Sequence, residues 1–95
     1  MALKTYEIGA AFERRVKKFL EDRGYLMIKS GGSKGIVDLM GIKIGESVIV
    51  QCRTRGNLSP GERDEMIAKS REYGCVALLA YKDGRNIGFK DINNG

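Results

Sequence analysis

Ile36-Val37-Asp38-Leu39-Met40-Gly41-Ile42-Lys43-Ile44-Gly45-Glu46-Ser47-Val48-Ile49-Val50-Gln51-Cys52-Arg53-Thr54 is two apolar, β-branched runs broken at a glycine, the pattern of a β-hairpin. Strands are predicted over 36–43 and 46–54, with Ile44 and Gly45 as the turn. Along the second strand side chains alternate, so Val48, Val50 and Cys52 face one way while Ile49, Gln51 and Arg53 face the other. A turn on Ile44-Gly45 sets Asp38 directly across from Gln51, and a turn slipped to Gly45-Glu46 sets it across from Arg53. In either register an anion, an amide and a cation share one face. An ionised carboxylate inside an apolar strand requires a partner or a metal. A plain Asp38–Arg53 salt bridge and a ligand site both meet that requirement.

Working outward, Phe12, Val16, Phe19 and Leu20 fall at helical spacing between Tyr6 and Arg23, and Gly24 follows where a left-handed C-cap is expected. Tyr25 to Ser30 reads as a short strand and 31–35 as a loop. Ser59-Pro60-Gly61-Glu62 is a helix start with a cap, a proline at the first turn and a capping-box glutamate. That helix runs to about Tyr73 and stops at Gly74. Strands follow over Cys75–Tyr81 and Asn86–Ile92, leaving Asn93-Asn94-Gly95 as a frayed tail. The expected order is αβββαββ, a mixed α/β or α+β sheet flanked by two helices. No repeat, linker or low-complexity stretch divides residues 1–95, so one domain is expected.

Seventeen Lys and Arg against twelve Asp and Glu give +5 and a pI near 9.4, which suits a polyanionic partner. The longest apolar run, Val76 to Tyr81, is too short to span a bilayer, and Met1-Ala2-Leu3-Lys4 opens no signal peptide, so an intracellular protein without a membrane partner is expected. Cys52 and Cys75 lie in strand-like apolar runs without metal-ligand spacing, as small buried hydrophobes do. The chain has no His. That removes the usual zinc ligand and every triad built on imidazole, leaving carboxylates, amides, Lys, Arg and a hard metal as the available chemistry.

Two further segments bear on the hairpin cluster. Glu13 sits at the margin of the first helix's apolar stripe, where it serves as a solvated residue or points toward the sheet. Gly9, a turn earlier on that side, would allow a backbone or phosphate to approach closely. The loop Lys29-Ser30-Gly31-Gly32-Ser33-Lys34-Gly35 offers flexibility, hydroxyls and cations to a phosphate immediately before the Asp38 strand. It is not a Walker A loop, since that spacing and its following helix are missing.

Taken together, Glu13 on a first helix, Lys29-Ser30-Gly31-Gly32-Ser33 before Val37-Asp38-Leu39, Gln51-Cys52-Arg53 on the next strand and a closing Leu79-Ala80-Tyr81-Lys82 resemble the archaeal-type Holliday junction resolvases. That family belongs to the restriction-endonuclease-like, PD-(D/E)xK superfamily, and the resemblance spans nearly the whole chain. It implies a structure-selective endodeoxyribonuclease of DNA recombination and repair, acting as a homodimer on four-way junctions. No small-molecule substrate is implied, and the source would be archaeal, bacterial or phage. Glu13, Asp38 and Gln51 take the positions of the Mg²⁺ ligands, with Mn²⁺ expected to substitute. Arg53 takes that of the catalytic Lys, and Lys29 and Ser30 contribute to the site. Arg14, Lys34, Arg55 and Lys82 are the expected DNA contacts.

The sequence departs from the signature twice, with Gln51 where an acid is typical and Arg53 where Lys is typical. An amide oxygen still ligates a hard cation but brings no charge, which weakens the site. Arg53 stays protonated and cannot act as a base, yet it can hold a phosphate bidentately. The alternatives to an active junction resolvase are therefore a catalytically weakened junction-binding protein and a nuclease of the same fold acting on another branched DNA.

Overall fold

The computed structural model describes residues 5–29 and 36–93. Over them the elements follow the expected order: α1 (Thr5–Glu21), β1 (Leu26–Lys29), β2 (Leu39–Lys43), β3 (Glu46–Cys52), α2 (Pro60–Tyr73), β4 (Val76–Asp83) and β5 (Asn86–Asp91). The five strands form one sheet in the order β1-β2-β3-β4-β5. Neighbours are antiparallel except β3 and β4, which run parallel because α2 carries the chain back across the sheet between them.

Local chemistry sets the element ends. Gly24 takes φ 94, and the Tyr25 N–H turns back to the Leu20 carbonyl at 3.1 Å, which stops α1. Ser59 caps α2 by accepting from the Glu62 N–H at 3.2 Å, and the Glu62 carboxylate accepts from the Ser59 N–H at 3.0 Å. Gly74, at φ 67, returns its N–H to Ser70.

The two faces of the sheet hold separate clusters, as alternation along β3 requires. On one face Phe12, Val16 and Leu20 of α1 are buried against Met27, Leu39, Val48, Val50 and Ala80. On the other, Met66 of α2 is buried with Ile49, Ala77 and Leu79, joined by Ile36 and Ile92. Each large apolar side chain so buried stabilises the fold by about 1.5–3 kcal/mol relative to exposure.

The hairpin turns on Ile44-Gly45, with Lys43 opposite Glu46 and Leu39 opposite Val50. This is the register that sets Asp38 toward Gln51 rather than toward Arg53. Two expectations need correction. The first strand was expected from Ile36, yet β2 begins at Leu39; the Asp38 N–H reaches the Val50 carbonyl one residue off the ladder, at 2.9 Å, while the Asp38 carboxylate accepts from the Cys52 N–H at 2.8 Å. A side chain thus takes a backbone donor that the ladder would have used. The second correction concerns Asn93 of the expected tail, whose Asn94 and Gly95 lie outside the described residues. Asn93 is docked: its amide oxygen accepts from the Ala77 N–H at 3.2 Å and its amide nitrogen donates to the buried Ser70 hydroxyl at 2.8 Å. Those two buried groups supply the partners that a frayed end would lack.

Candidate active site

Where β2 and β3 part, the chain gathers the residues that the hairpin reading brought together. Asp38 precedes β2, Gln51 lies near the end of β3, and Arg53 follows that strand, with its N–H bonded to the Ala80 carbonyl at 2.9 Å. Gln51 is buried, at 5% exposure, among groups that fix its amide. In the orientation that satisfies its neighbours, the amide nitrogen donates to the Ile36 carbonyl and, at 3.2 Å, to Asp38 Oδ2. Its carbonyl accepts from Arg53 Nε at 2.8 Å and Nη2 at 3.1 Å. Turned over, the same amide would join its oxygen to those of Ile36 and Asp38. One side chain therefore links the anion and the cation of the cluster, and its orientation decides which of them its oxygen serves.

Glu13, half-buried on α1, belongs to this neighbourhood rather than to the solvated face of its helix. Burial pushes its carboxyl up from the ordinary value, the Asp38 carboxylate adds to the push, and Lys29 opposes it. Asp38 is raised mainly by burial, against the Cys52 N–H, Arg53 and Lys29. Lys29 ends β1 opposite Leu39, one residue from Asp38. The Cys52 thiol is also pushed well up, by burial and then by the Asp38 and Glu13 carboxylates, so it stays protonated beside the site. Two carboxylates in a partly desolvated space, one of which raises the proton affinity of the other, form a place where a cation is electrostatically favoured.

Arg53 corrects the simplest sequence alternative. Its ion-pair partner is Glu62 of α2, through Nη2, and not Asp38. Asp38 instead spends its carboxylate on the Cys52 N–H and the Gln51 amide. Glu62 was legible in sequence only as a capping-box residue; its contact with Arg53 depends on the β3–α2 connection bringing the helix start against the strand end. The carboxyl lies below its usual range, first through the Ser59 hydrogen bonds and further through Arg53.

A cleft of about 430 Å³ opens beside the cluster between α1 and the end of β3, lined by Gly9, Phe12, Cys52, Arg53 and Arg55 among others. Nothing stands within 4 Å of the position a Gly9 Cβ would take, so the helix surface there is open to an approaching chain. Arg14 and Arg55 are exposed, as is Lys82, whose N–H bonds the Thr54 carbonyl between Arg53 and Arg55 at 3.2 Å. Glu13, Lys29, Asp38, Gln51 and Arg53 are thus assembled, whereas Arg14 and Lys82 lie on the surface around them. Ser30 and Lys34 fall outside the described residues. So do the remaining residues of the Gly-rich loop. Among the described residues no group of three or more His, Cys, Asp or Glu side chains converges, which leaves two carboxylates and one amide as the oxygen donors.

The fold is that of a solved structure: Archaeoglobus fulgidus Hjc, described as a Holliday junction resolvase from an archaeal hyperthermophile, matches with a TM-score of 0.77. The match has 22% sequence identity and covers 90% of this chain and 73% of that one. A model of the family described as archaeal Holliday junction resolvase (hjc) matches residues 4–94. The chain belongs to the archaeal Holliday junction resolvase family. Crossover junction endodeoxyribonuclease Hjc of Methanocaldococcus jannaschii is 36% identical over 81 residues, 81% of this chain; the chain spans 60% of that relative's length.

Proposed function

We propose that this chain is an endodeoxyribonuclease that resolves four-way DNA junctions by divalent-metal-dependent phosphodiester hydrolysis. The observation that carries the reading is the assembly of Glu13, Lys29, Asp38, Gln51 and Arg53, the last of which lines a cleft together with the exposed Arg55. An all-oxygen donor set of two carboxylates and an amide fits a hard cation such as Mg²⁺, with Mn²⁺ as a substitute. Glu13, Asp38 and Gln51 would hold it, and the bound ion would supply Lewis acidity and an activated water at neutral pH. Arg53, which helps line the cleft, brings a fixed positive charge suited to the scissile phosphate and to the charge that builds on it. Lys29 offsets the anions from the β1 side. Arg14, Arg55 and Lys82 serve the phosphates on either side, contacts that position DNA without reading bases.

The test is a cleavage assay on a synthetic four-way junction, a flap and a linear duplex. Paired nicks in the junction with Mg²⁺, lost in Asp38→Asn, support the reading; no cutting of the junction with any divalent ion overturns it. Preferred cutting of the flap would transfer the activity to another branched DNA.

A second reading, a junction-binding protein with weakened catalysis, draws on a specific observation: the Gln51 carbonyl is engaged by Arg53, and Arg53 by Glu62. That reading predicts tight junction binding without nicking, and cutting restored by the Gln51→Glu, Arg53→Lys pair.

A homodimer completes the proposal, since two sites related by a two-fold axis can cut opposing strands. Its support is an apolar patch on the α2 face of β1 and β2, where Leu26 stands opposite Ile42 and Ile28 opposite Met40, all exposed. Sedimentation of the wild-type protein against Ile42→Lys checks it, a monomeric variant being the expected outcome.

A further inference from the structure

The Arg53–Glu62 contact joins two elements that the catalytic pattern does not connect. Glu62 uses its two carboxylate oxygens on different partners: Oε1 accepts from the Ser59 N–H at 3.0 Å, while Oε2 meets Arg53 Nη2. The first bond fixes the carboxylate to the start of α2, so the second fixes Arg53 to that helix. On its other side Arg53 donates from Nε and Nη2 to the Gln51 carbonyl, at 2.8 and 3.1 Å. Among the described residues these contacts engage Nε and Nη2 and leave Nη1 free on a side chain that helps line the cleft.

The arrangement has a consequence for the amide between them. If the Gln51 oxygen is given to a cation beside Asp38, the amide must turn, and its nitrogen then faces the guanidinium, donor against donor. Arg53 would lose that partner at the step in which it is needed. Glu62 is the contact that survives the turn, because it approaches Nη2 from the helix. A lysine at this position would have to serve Glu62 and a phosphate from one nitrogen; the branched fork of arginine offers each a separate nitrogen.

We propose that Glu62 is a positioning residue of the active site: anchored at the α2 N-terminus by the capping box, it holds the Arg53 guanidinium with its Nη1 edge toward the scissile phosphate. The proposal rests on the nuclease reading for its catalytic part and on the ion pair alone for its structural part.

Three variants and two readouts test it. Glu62→Gln keeps a side chain competent for the capping box but removes the charge that holds Arg53; Ser59→Ala weakens the cap and leaves the ion pair; Arg53→Ala provides the background. In single-turnover cleavage of a four-way junction with Mg²⁺, Glu62→Gln should slow nicking by about tenfold, while junction affinity changes by less than about twofold. Ser59→Ala should nick near the wild-type rate at a temperature where it is fully folded. In the Arg53→Ala background Glu62→Gln should add nothing. The second readout is hydrogen exchange at Arg53 Nε in the metal-free, DNA-free protein by NMR, which should quicken by about tenfold in Glu62→Gln as the side chain is released.

Wild-type nicking in Glu62→Gln, or an equal slowing in the Arg53→Ala background, overturns the proposal. Unchanged exchange at Arg53 Nε overturns it as well. If the wild-type protein cuts no junction with any divalent ion, the nuclease reading falls separately, and the exchange measurement alone decides whether Glu62 holds Arg53.

Discussion

Helix α1 lays Phe12, Val16 and Leu20 on the sheet, all buried, whereas α2 fully buries only Met66 and Ser70 and is tied down by polar joints at both ends. At its start stand the Ser59–Glu62 capping box and the Arg53 ion pair; near its end Asn93 clasps Ser70. Each helix brings one carboxylate to the site, Glu13 from α1 and Glu62 from α2. A carboxylate fixed by a packed stripe stays put as long as the core does. One fixed by hydrogen bonds can be released without unfolding the molecule, which makes α2 the adjustable side of the site.

The comparison is broken most severely by Phe12→Ala, which should cost about 3–5 kcal/mol in denaturant unfolding because it opens a cavity under α1. A loss below about 1 kcal/mol would show that α1 is not held by burial. On the α2 side, Asn93→Ala strips the Ala77 N–H of its partner and should cost about 1–3 kcal/mol, read by the same titration. Ser59→Ala should cost about 1 kcal/mol and leave the unfolding cooperative.

The smallest expected effect on stability is the one with the opposite sign. Asp38 and Glu13 are both raised above their ordinary values, so the fold holds their protons more tightly than the unfolded chain does. Metal-free stability should therefore increase as pH falls through the range just above that of ordinary carboxylates, and ionisation of these groups at neutral pH works against the fold. Asp38→Asn removes one of the two charges, so at neutral pH the metal-free variant should melt higher than wild type while nicking is abolished. A lower melting temperature would mean that Asp38 is held by the Cys52 N–H more than it is strained by burial. Cation binding must displace these protons, so the Mg²⁺ concentration needed for half-maximal nicking should rise as pH is lowered through the same range.

Much of this was legible because it is local. The α1 stripe, the glycine stops at Gly24 and Gly74, the Ser59 capping box and the Ile44-Gly45 turn each depend on residues a few positions apart, and the turn alone sets the register that brings Asp38 toward Gln51. The electrostatic meeting of Glu13 with Asp38 was suggested only by the family resemblance, since helical spacing left Glu13 between solvent and sheet. What escaped the sequence is non-local or competitive. Asp38 shortens its own strand by taking the Cys52 N–H, a choice between side chain and ladder that propensity does not resolve. Glu62 reaches Arg53 only once the β3–α2 connection has brought the helix start against the strand end, and Asn93 is retained by two groups on other elements. Polar ends of chains and helices offer no periodic signal, and there the structure added most.

The sheet's spatial order is also its sequence order. β2 and β3 pair across a turn, as do β4 and β5, β3 and β4 pair across α2, and no strand is inserted between two that precede it. Glu13, Asp38, Gln51, Arg53 and Glu62 all precede β4, yet Arg53 depends on β4 for its backbone partner Ala80. The backbone of Arg53 is therefore set in place by the pairing of β4 beside β3 rather than by the hairpin alone, so the candidate site is complete only when the parallel pair has formed.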